Sequence, residues 1–244
     1  MINSNNYQGT VIINSTNQFT GTLNTTYSNI YDYFSLKEAN DQLLKENTKL
    51  LNQIKNSILK IDSGFRKPDT LQQYIGAKVI SNSTHKRNNY IMLNRGKKHG
   101  INIDMGVVSN EGIVGVVIGV SENFSYVMSI LHKDSKVSAK IKKNNQLANV
   151  IWNSTDYKKG NLRDIPTHLN LNTGDTIITS GNSLIFPEGI TIGYVEKYFK
   201  ESGESLNNAS LLFASDFNAL HYVYVIKNIK KEELINLIKE AENE

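Results

Sequence analysis

Cysteine is missing altogether from the 244 residues, which excludes disulfides, thiol nucleophiles and thiolate metal sites. Long apolar runs are missing too. No window reaches the ~18 to 20 consecutive apolar residues that cross a bilayer as a helix, and the amino terminus lacks the basic-then-apolar layout of a secretory signal. Charge is thin, at 20% of residues, and 27 basic against 23 acidic side chains leave a net charge of only +4. With no dense Lys/Arg block, the footprint of a nucleic-acid binder is absent. Polar surface comes instead from Asn, Ser and Thr, as in Asn14-Ser15-Thr16-Asn17 and Asn170-Leu171-Asn172-Thr173. A hydrophobic content of 39% is enough for sizeable cores in one or two domains.

What is present first is a helical seam. Leu36, Leu43 and Leu50 are seven apart, and Asn40, Asn47, Ile54 and Ile61 form a second seven-residue series offset by four. Alternating steps of four and three keep both series on one face of a helix. With Leu at d and Asn, Asn, Ile, Ile at a, the seam predicts a weak, register-specified dimer, because a buried Asn pairs with its mate at a cost in stability. Lys37, Glu38, Asp41, Lys45, Glu46, Lys49 and Lys55 keep the other faces wet. Ser35 and Glu38 have the spacing of a capping box, and Asp62-Ser63-Gly64 followed by Pro68 supplies the stop. The spacing therefore predicts a dimerisation helix over 29–64, after a linker over 1–28. The alternative is a helix packed on its own domain.

From Gly76 onward the pattern turns to short β-rich runs broken by Gly, Asn and Asp. Candidate strands are Ala77 to Ser81, Asn89 to Leu93, Gly106 to Ser109, Ile113 to Val120, Tyr126 to Leu131, Val137 to Lys142 and Ala148 to Trp152. After a polar interval come Thr176 to Thr179, Thr191 to Phe199, Ala209 to Ala214 and Tyr222 to Ile226. So many short strands without intervening helices exclude a doubly wound α/β fold and predict barrels or sandwiches. Gly112, Gly115 and Gly119 fall in and beside one strand, where glycine marks a bulge, a tight corner or a close backbone approach. Asn153 to Asn172, with Gly160 and Pro166, reads as a domain crossing, which places one β domain at 65–152 and another at 153–228. The tail 229–244, with Leu234, Ile235, Leu237 and Ile238 among charges, reads as a short amphipathic helix or a frayed end.

Catalytic constellations are hard to find. His85, His99, His132, His168 and His221 show no metal-ligand spacing. Ser180, His132 and Asp134 can be written as a triad, but no nucleophile motif surrounds Ser180, which is better read as a turn residue. Gly96-Lys97-Lys98-His99-Gly100 lacks the G-K-S/T end of a phosphate loop. No catalytic residue, metal or cofactor is expected. A β-barrel serine hydrolase and a secreted adhesin or carbohydrate-binding β protein stand as alternative functions.

Two stretches carry a resemblance. Leu93 to Val108, written Leu93-Asn94-Arg95-Gly96-Lys97-Lys98-His99-Gly100-Ile101-Asn102-Ile103-Asp104-Met105-Gly106-Val107-Val108, is followed by Glu111-Gly112-Ile113-Val114-Gly115-Val116-Val117. Further on, Leu171-Asn172-Thr173-Gly174-Asp175-Thr176-Ile177-Ile178-Thr179-Ser180-Gly181 runs to Ile185-Phe186-Pro187-Glu188-Gly189-Ile190-Thr191-Ile192-Gly193-Tyr194-Val195. Together they resemble the bacterial rod-shape-determining MreC family, with Met105 and Gly106 exchanged in order, Ser183-Leu184 where the family has a glycine pair, and Glu188 where it often has proline. The resemblance covers about residues 30 to 228. It implies a mainly β chain, a coiled-coil helix followed by two small β-barrel domains that exchange strands or stand apart. Gly96, Gly100, Gly112, Gly115, Gly119, Gly174, Asp175, Ser180, Gly181, Pro187, Gly189 and Gly193 are its structural motif residues. It also implies a non-catalytic scaffold of the cell-elongation machinery, at the periplasmic face of the inner membrane, with a single membrane helix upstream of Met1. Partners implied are other copies of the chain, the elongation-specific penicillin-binding transpeptidase, MreD and MreB. Leu184, Ile185 and Phe186, apolar in a segment between strands, are expected either to plug a barrel end or to receive such a partner.

Overall fold

The computed structural model describes residues 36–53, 72–153, 156–166, 169–199 and 206–229, together with Glu233 and Glu240. The chain divides into two compact units, Met1–Asn47 and Thr48–Glu244. The linker at 1–28, the seam residues Ile54 and Ile61, both helix ends and His168 lie outside the described residues.

Residues 36–53 are helical, and Leu36, Leu43 and Leu50 are 61%, 54% and 51% exposed in the single chain. Asn40 and Asn47 are exposed as well. Within this helix, Asn52 replaces one rung of a strand ladder. Its Oδ1 accepts from the Tyr74 backbone N–H at 2.8 Å and its Nδ2 donates to the Tyr74 carbonyl at 3.2 Å.

Twelve strands follow. They are β1 (Gln72–Asn82), β2 (Asn88–Leu93), β3 (Gly106–Val108), β4 (Ile113–Val120), β5 (Ser125–His132), β6 (Lys136–Ile141), β7 (Leu147–Ile151), β8 (Lys159–Pro166), β9 (Thr176–Thr179), β10 (Thr191–Phe199), β11 (Leu206–Phe213) and β12 (Tyr222–Asn228). They close into two six-stranded barrels, ordered β1-β12-β3-β4-β5-β2 and β10-β11-β8-β7-β6-β9. Every neighbouring pair is antiparallel. Alternation along the strands fills each interior. Ala77, Ile91, Leu93, Val107, Val117, Val127, Val223 and Val225 are fully buried in the first barrel, and Ala139, Ile141, Leu162, Ile165, Ile177 and Leu211 in the second. Each such Val, Leu or Ile side chain contributes about 1.5 to 3 kcal/mol through burial. Closing a sheet into so narrow a ring requires sharp local twist, and register shifts at bulges supply it in β1, β4, β8 and β10.

Two expectations need correction. The first barrel does not occupy 65–152. It ends its first pass at β5, β6 and β7 already belong to the second barrel, and β12 crosses back to close the first. The interval assigned to a crossing contains β8, which pairs with both β7 and β11. Its alternation is hidden because Asp164, at φ 66°, inserts an extra residue between Leu162 and Ile165 and returns Ile165 to the core.

Candidate interaction surfaces

The motif glycines are explained mostly by space. A Cβ at Gly96, Gly115 or Gly193 would lie 2.2, 2.3 or 2.1 Å from the carbonyl oxygen of Ser121, Met128 or Leu212. Gly181, at φ +82°, turns the chain after β9, and a Cβ there would also meet Glu188. Gly100, Gly174 and Gly189 sit in the same left-handed region. Gly119 is the exception to the expected crowding. Among the described residues its near neighbour is the Tyr126 Cβ at 3.6 Å, an ordinary contact.

Gly106 and Gly112 mark where the barrels meet. At Gly106 on β3, the Phe186 ring and the Ile185 carbonyl occupy the place a side chain would take, with Phe186 Cε1 2.7 Å from a built Cβ. At Gly112, in the β3–β4 turn, the Thr191 carbonyl of β10 stands 2.5 Å from a built Cβ. The same turn is tied on by Ser109 Oγ with Ser215 Oγ at 2.8 Å and by the Asp216 N–H donating to Glu111 at 3.1 Å. Phe217, fully buried and edge-on to Phe213 at 5.7 Å, packs the connection from β11 to β12.

Phe186 therefore does not form an exposed docking knob. It is 4% exposed, because glycine at 106 leaves a socket for its ring on the neighbouring barrel. Leu184 and Ile185 are half-buried beside it, and with Ser183, Gln72, Ile226 and Asn228 they line a cleft of about 300 Å³. The loop is held by Thr179, whose Oγ1 donates to the Pro187 carbonyl at 2.5 Å and accepts from the Ile190 N–H at 2.9 Å. Lys140 pairs with Glu188. Asp175 shapes the turn before β9, accepting from the Asn172 N–H at 2.9 Å and from Lys143 Nζ at 3.1 Å.

Ser180, His132 and Asp134 are not arranged as a triad. The Ser180 hydroxyl is 2.8 Å from Ser138 Oγ and accepts the Asn182 N–H, on the second barrel. His132, at the end of β5 on the first barrel, places Nε2 3.0 Å from the Tyr90 hydroxyl, while its Nδ1 accepts the Asp134 N–H at 3.1 Å. Those bonds require a neutral ring. Burial, foremost, holds the His132 pKa below its ordinary 6.5, with Lys133 helping and Asp134 opposing. The unfolded chain then binds the extra proton more readily, so stability falls as pH drops through 6.5 toward the folded value and is retained above it. Melts at pH 7.5 and 5.5 are expected to show this loss in the unaltered protein and a smaller one in His132→Gln. An equal loss in both removes His132 as the source.

Sequence reasoning did not single out one surface. On the outside of β2, β5 and β4, Met92 pairs with Tyr126 and Tyr126 with Gly119, and the next row is Tyr90, Met128 and Val116. Tyr90 stacks on Tyr126 with ring centroids 4.9 Å apart. Ile80 and Ile118 are the extra residues of bulges at either side, and Phe124 lies in the β4–β5 turn. Ile80, Met92, Ile118, Phe124 and Tyr126 are 38% to 50% exposed. The signal was available: Tyr90-Ile91-Met92-Leu93 is apolar on both faces, which one interior alone does not use. Among the described residues, no group of three or more His, Asp or Glu is placed to hold a metal, and no helix is long and apolar enough to cross a membrane.

Residues 79–227 match the family model of the rod shape-determining protein MreC, barrel core. The chain belongs to the MreC family. The cell shape-determining protein MreC of Listeria monocytogenes is 28% identical over 199 residues, covering 77% of this chain and 68% of that protein. Its namesake from Haemophilus influenzae is 25% identical over 221 residues, covering 83% of this chain, and the chain spans only 61% of that protein's length. Among solved structures, Listeria monocytogenes MreC aligns with a TM-score of 0.58 at 25% identity, over 82% of this chain and 92% of that one. The MreC of Helicobacter pylori, solved in complex with penicillin-binding protein PBP2, shares the fold at TM-score 0.52 and 22% identity, over 65% and 99%. So does the major periplasmic domain of a cell shape-determining filament MreC, at 0.55 and 19%, over 64% and 96%. Two closed six-stranded barrels thus agree with the fold that the resemblance implied.

Proposed function

We propose that this chain is a non-catalytic, self-associating scaffold of the cell-elongation machinery that holds the peptidoglycan transpeptidase at the periplasmic face of the inner membrane. The observation that carries this reading is the pairing of an exposed leucine seam at Leu36, Leu43 and Leu50 with an MreC barrel core. A leucine left half exposed on one helix gains burial when a second helix covers it. The transpeptidase is named because a relative has been solved with one, and self-assembly is supported by a relative described as a filament. A membrane helix before Met1, and links to MreD and MreB, complete the proposed scaffold.

Charging the seam tests it. Leu43→Glu with Leu50→Glu places carboxylates at two adjacent d positions, where like charges oppose pairing. Sedimentation at the lowest concentration where the unaltered chain is a dimer is expected to show the variant as a monomer, with the barrels melting at the same temperature. A variant that remains dimeric would transfer self-association to the barrels.

A further inference from the structure

We propose that the exposed apolar face of the first barrel receives residues 230–244 of a second copy of this chain. This deepens the self-association reading by adding a contact outside the stalk.

The face has the chemistry of an interface and no cover among the described residues. Tyr, Phe and Met dominate it, the side chains enriched where protein surfaces meet. Basic groups flank both ends. The Lys97 and Lys98 backbones are bonded to Ser121 and Glu122, which places that loop beside Phe124, and the Lys133 N–H donates to the Arg87 carbonyl at the other end of β2 and β5. From Gln72 to Asp134 the chain carries seven Lys or Arg against four Asp or Glu, one of them, Asp134, 3.9 Å from Lys133 Nζ. Two copies pressing this face together would oppose cation to cation, so the occupant should be apolar and acidic.

Residues 230–244 meet that description. They hold Leu234, Ile235, Leu237 and Ile238 with five Glu against three Lys. Glu233 and Glu240 are helical and exposed. Seven residues apart, they have the spacing of one helix side, and in the sequence Leu234, Ile238 and Ala241 are offset from that spacing.

Topology favours a second copy over the chain's own tail. The segment leaves β12, and in the ring β1-β12-β3-β4-β5-β2 the strand β5 at the centre of the apolar face stands opposite β12. Residues 230–244 span roughly 22 Å as a helix, and much of that length would be used in rounding the barrel. A tail on one side and a receiving face on the other make the contact heterologous, one that extends from copy to copy instead of closing on itself.

The test uses the full chain carrying Leu43→Glu and Leu50→Glu, so that any association is read without the stalk. One version lacks residues 230–244, and another carries Met92→Lys and Tyr126→Lys, both exposed positions. Sedimentation at concentrations raised above those at which the stalk variant is a monomer is expected to show a weaker association for this parent, reduced about tenfold or more in each version. An equimolar mixture of the two versions should form mixed complexes, since one supplies a tail and the other an intact face. Higher salt should weaken the parent contact. Equal association in parent and both versions overturns the proposal. Loss in both with no mixed complex also overturns it and assigns the tail to its own barrel. Failure of the stalk reading is distinguishable, because it appears as a dimer that persists in all versions and in the mixture alike.

Discussion

Gly115→Val is expected to prevent the first barrel from closing. The built Cβ lies 2.3 Å from the Met128 carbonyl and 2.9 Å from Val127 Cγ1, both on the paired strand β5, so neither can yield without opening the β4–β5 ladder. Overpacking of a core typically costs about 1 to 3 kcal/mol, and here the obstacle is backbone, which places the effect at or beyond the top of that range. Gly119→Val, four residues along the same strand, is the internal control. Its Cβ meets Tyr126 at 3.6 Å and should change the melt little. Thermal unfolding of the two variants side by side checks the account. Equal loss at both positions would mean that strand composition, and not the close approach at Gly115, sets the outcome.

Phe186→Ala should lower stability by about 3 to 5 kcal/mol through lost burial and the cavity left behind. The ring is 4% exposed and occupies the place of a side chain at Gly106, so its removal empties the joint between the barrels. Gly106→Leu should have a similar effect from the opposite side by occupying the socket. Denaturant titration that resolves separate transitions for the two barrels would identify the joint as the element lost. An unchanged midpoint in Phe186→Ala would contradict its role as a lock.

Much of the fold was legible because the relevant forces are local. Ile113–Val120, Thr176–Thr179 and Thr191–Phe199 could be bounded from the sequence, since β-branched alternation and flanking turn residues act over a few positions. β8 was not, because a bulge at Asp164 breaks its alternation. The return of β12 to the first barrel was illegible for a different reason. Its partners β1 and β3 lie more than a hundred residues away, and nothing in Tyr222–Asn228 records which edge it will close. Phe186 shows the same limit. Its apolar character was plain, but whether it faced water or a socket depended on an absent side chain at Gly106. The Met92–Tyr126 face was readable as apolar residues on both sides of two strands, and it went unnoticed because strand assignment asks only for one buried face.

The scaffold reading stands or falls on what the chain holds together. Sedimentation of the full chain mixed with the periplasmic part of the elongation transpeptidase from the same organism measures this directly. The account predicts a complex of two chains with bound transpeptidase, reduced by Leu43→Glu and Leu50→Glu to one chain with its transpeptidase. No co-sedimenting complex, with both proteins folded and at concentrations well above ~1 μM, where a specific contact worth about 8 kcal/mol would be populated, would contradict it.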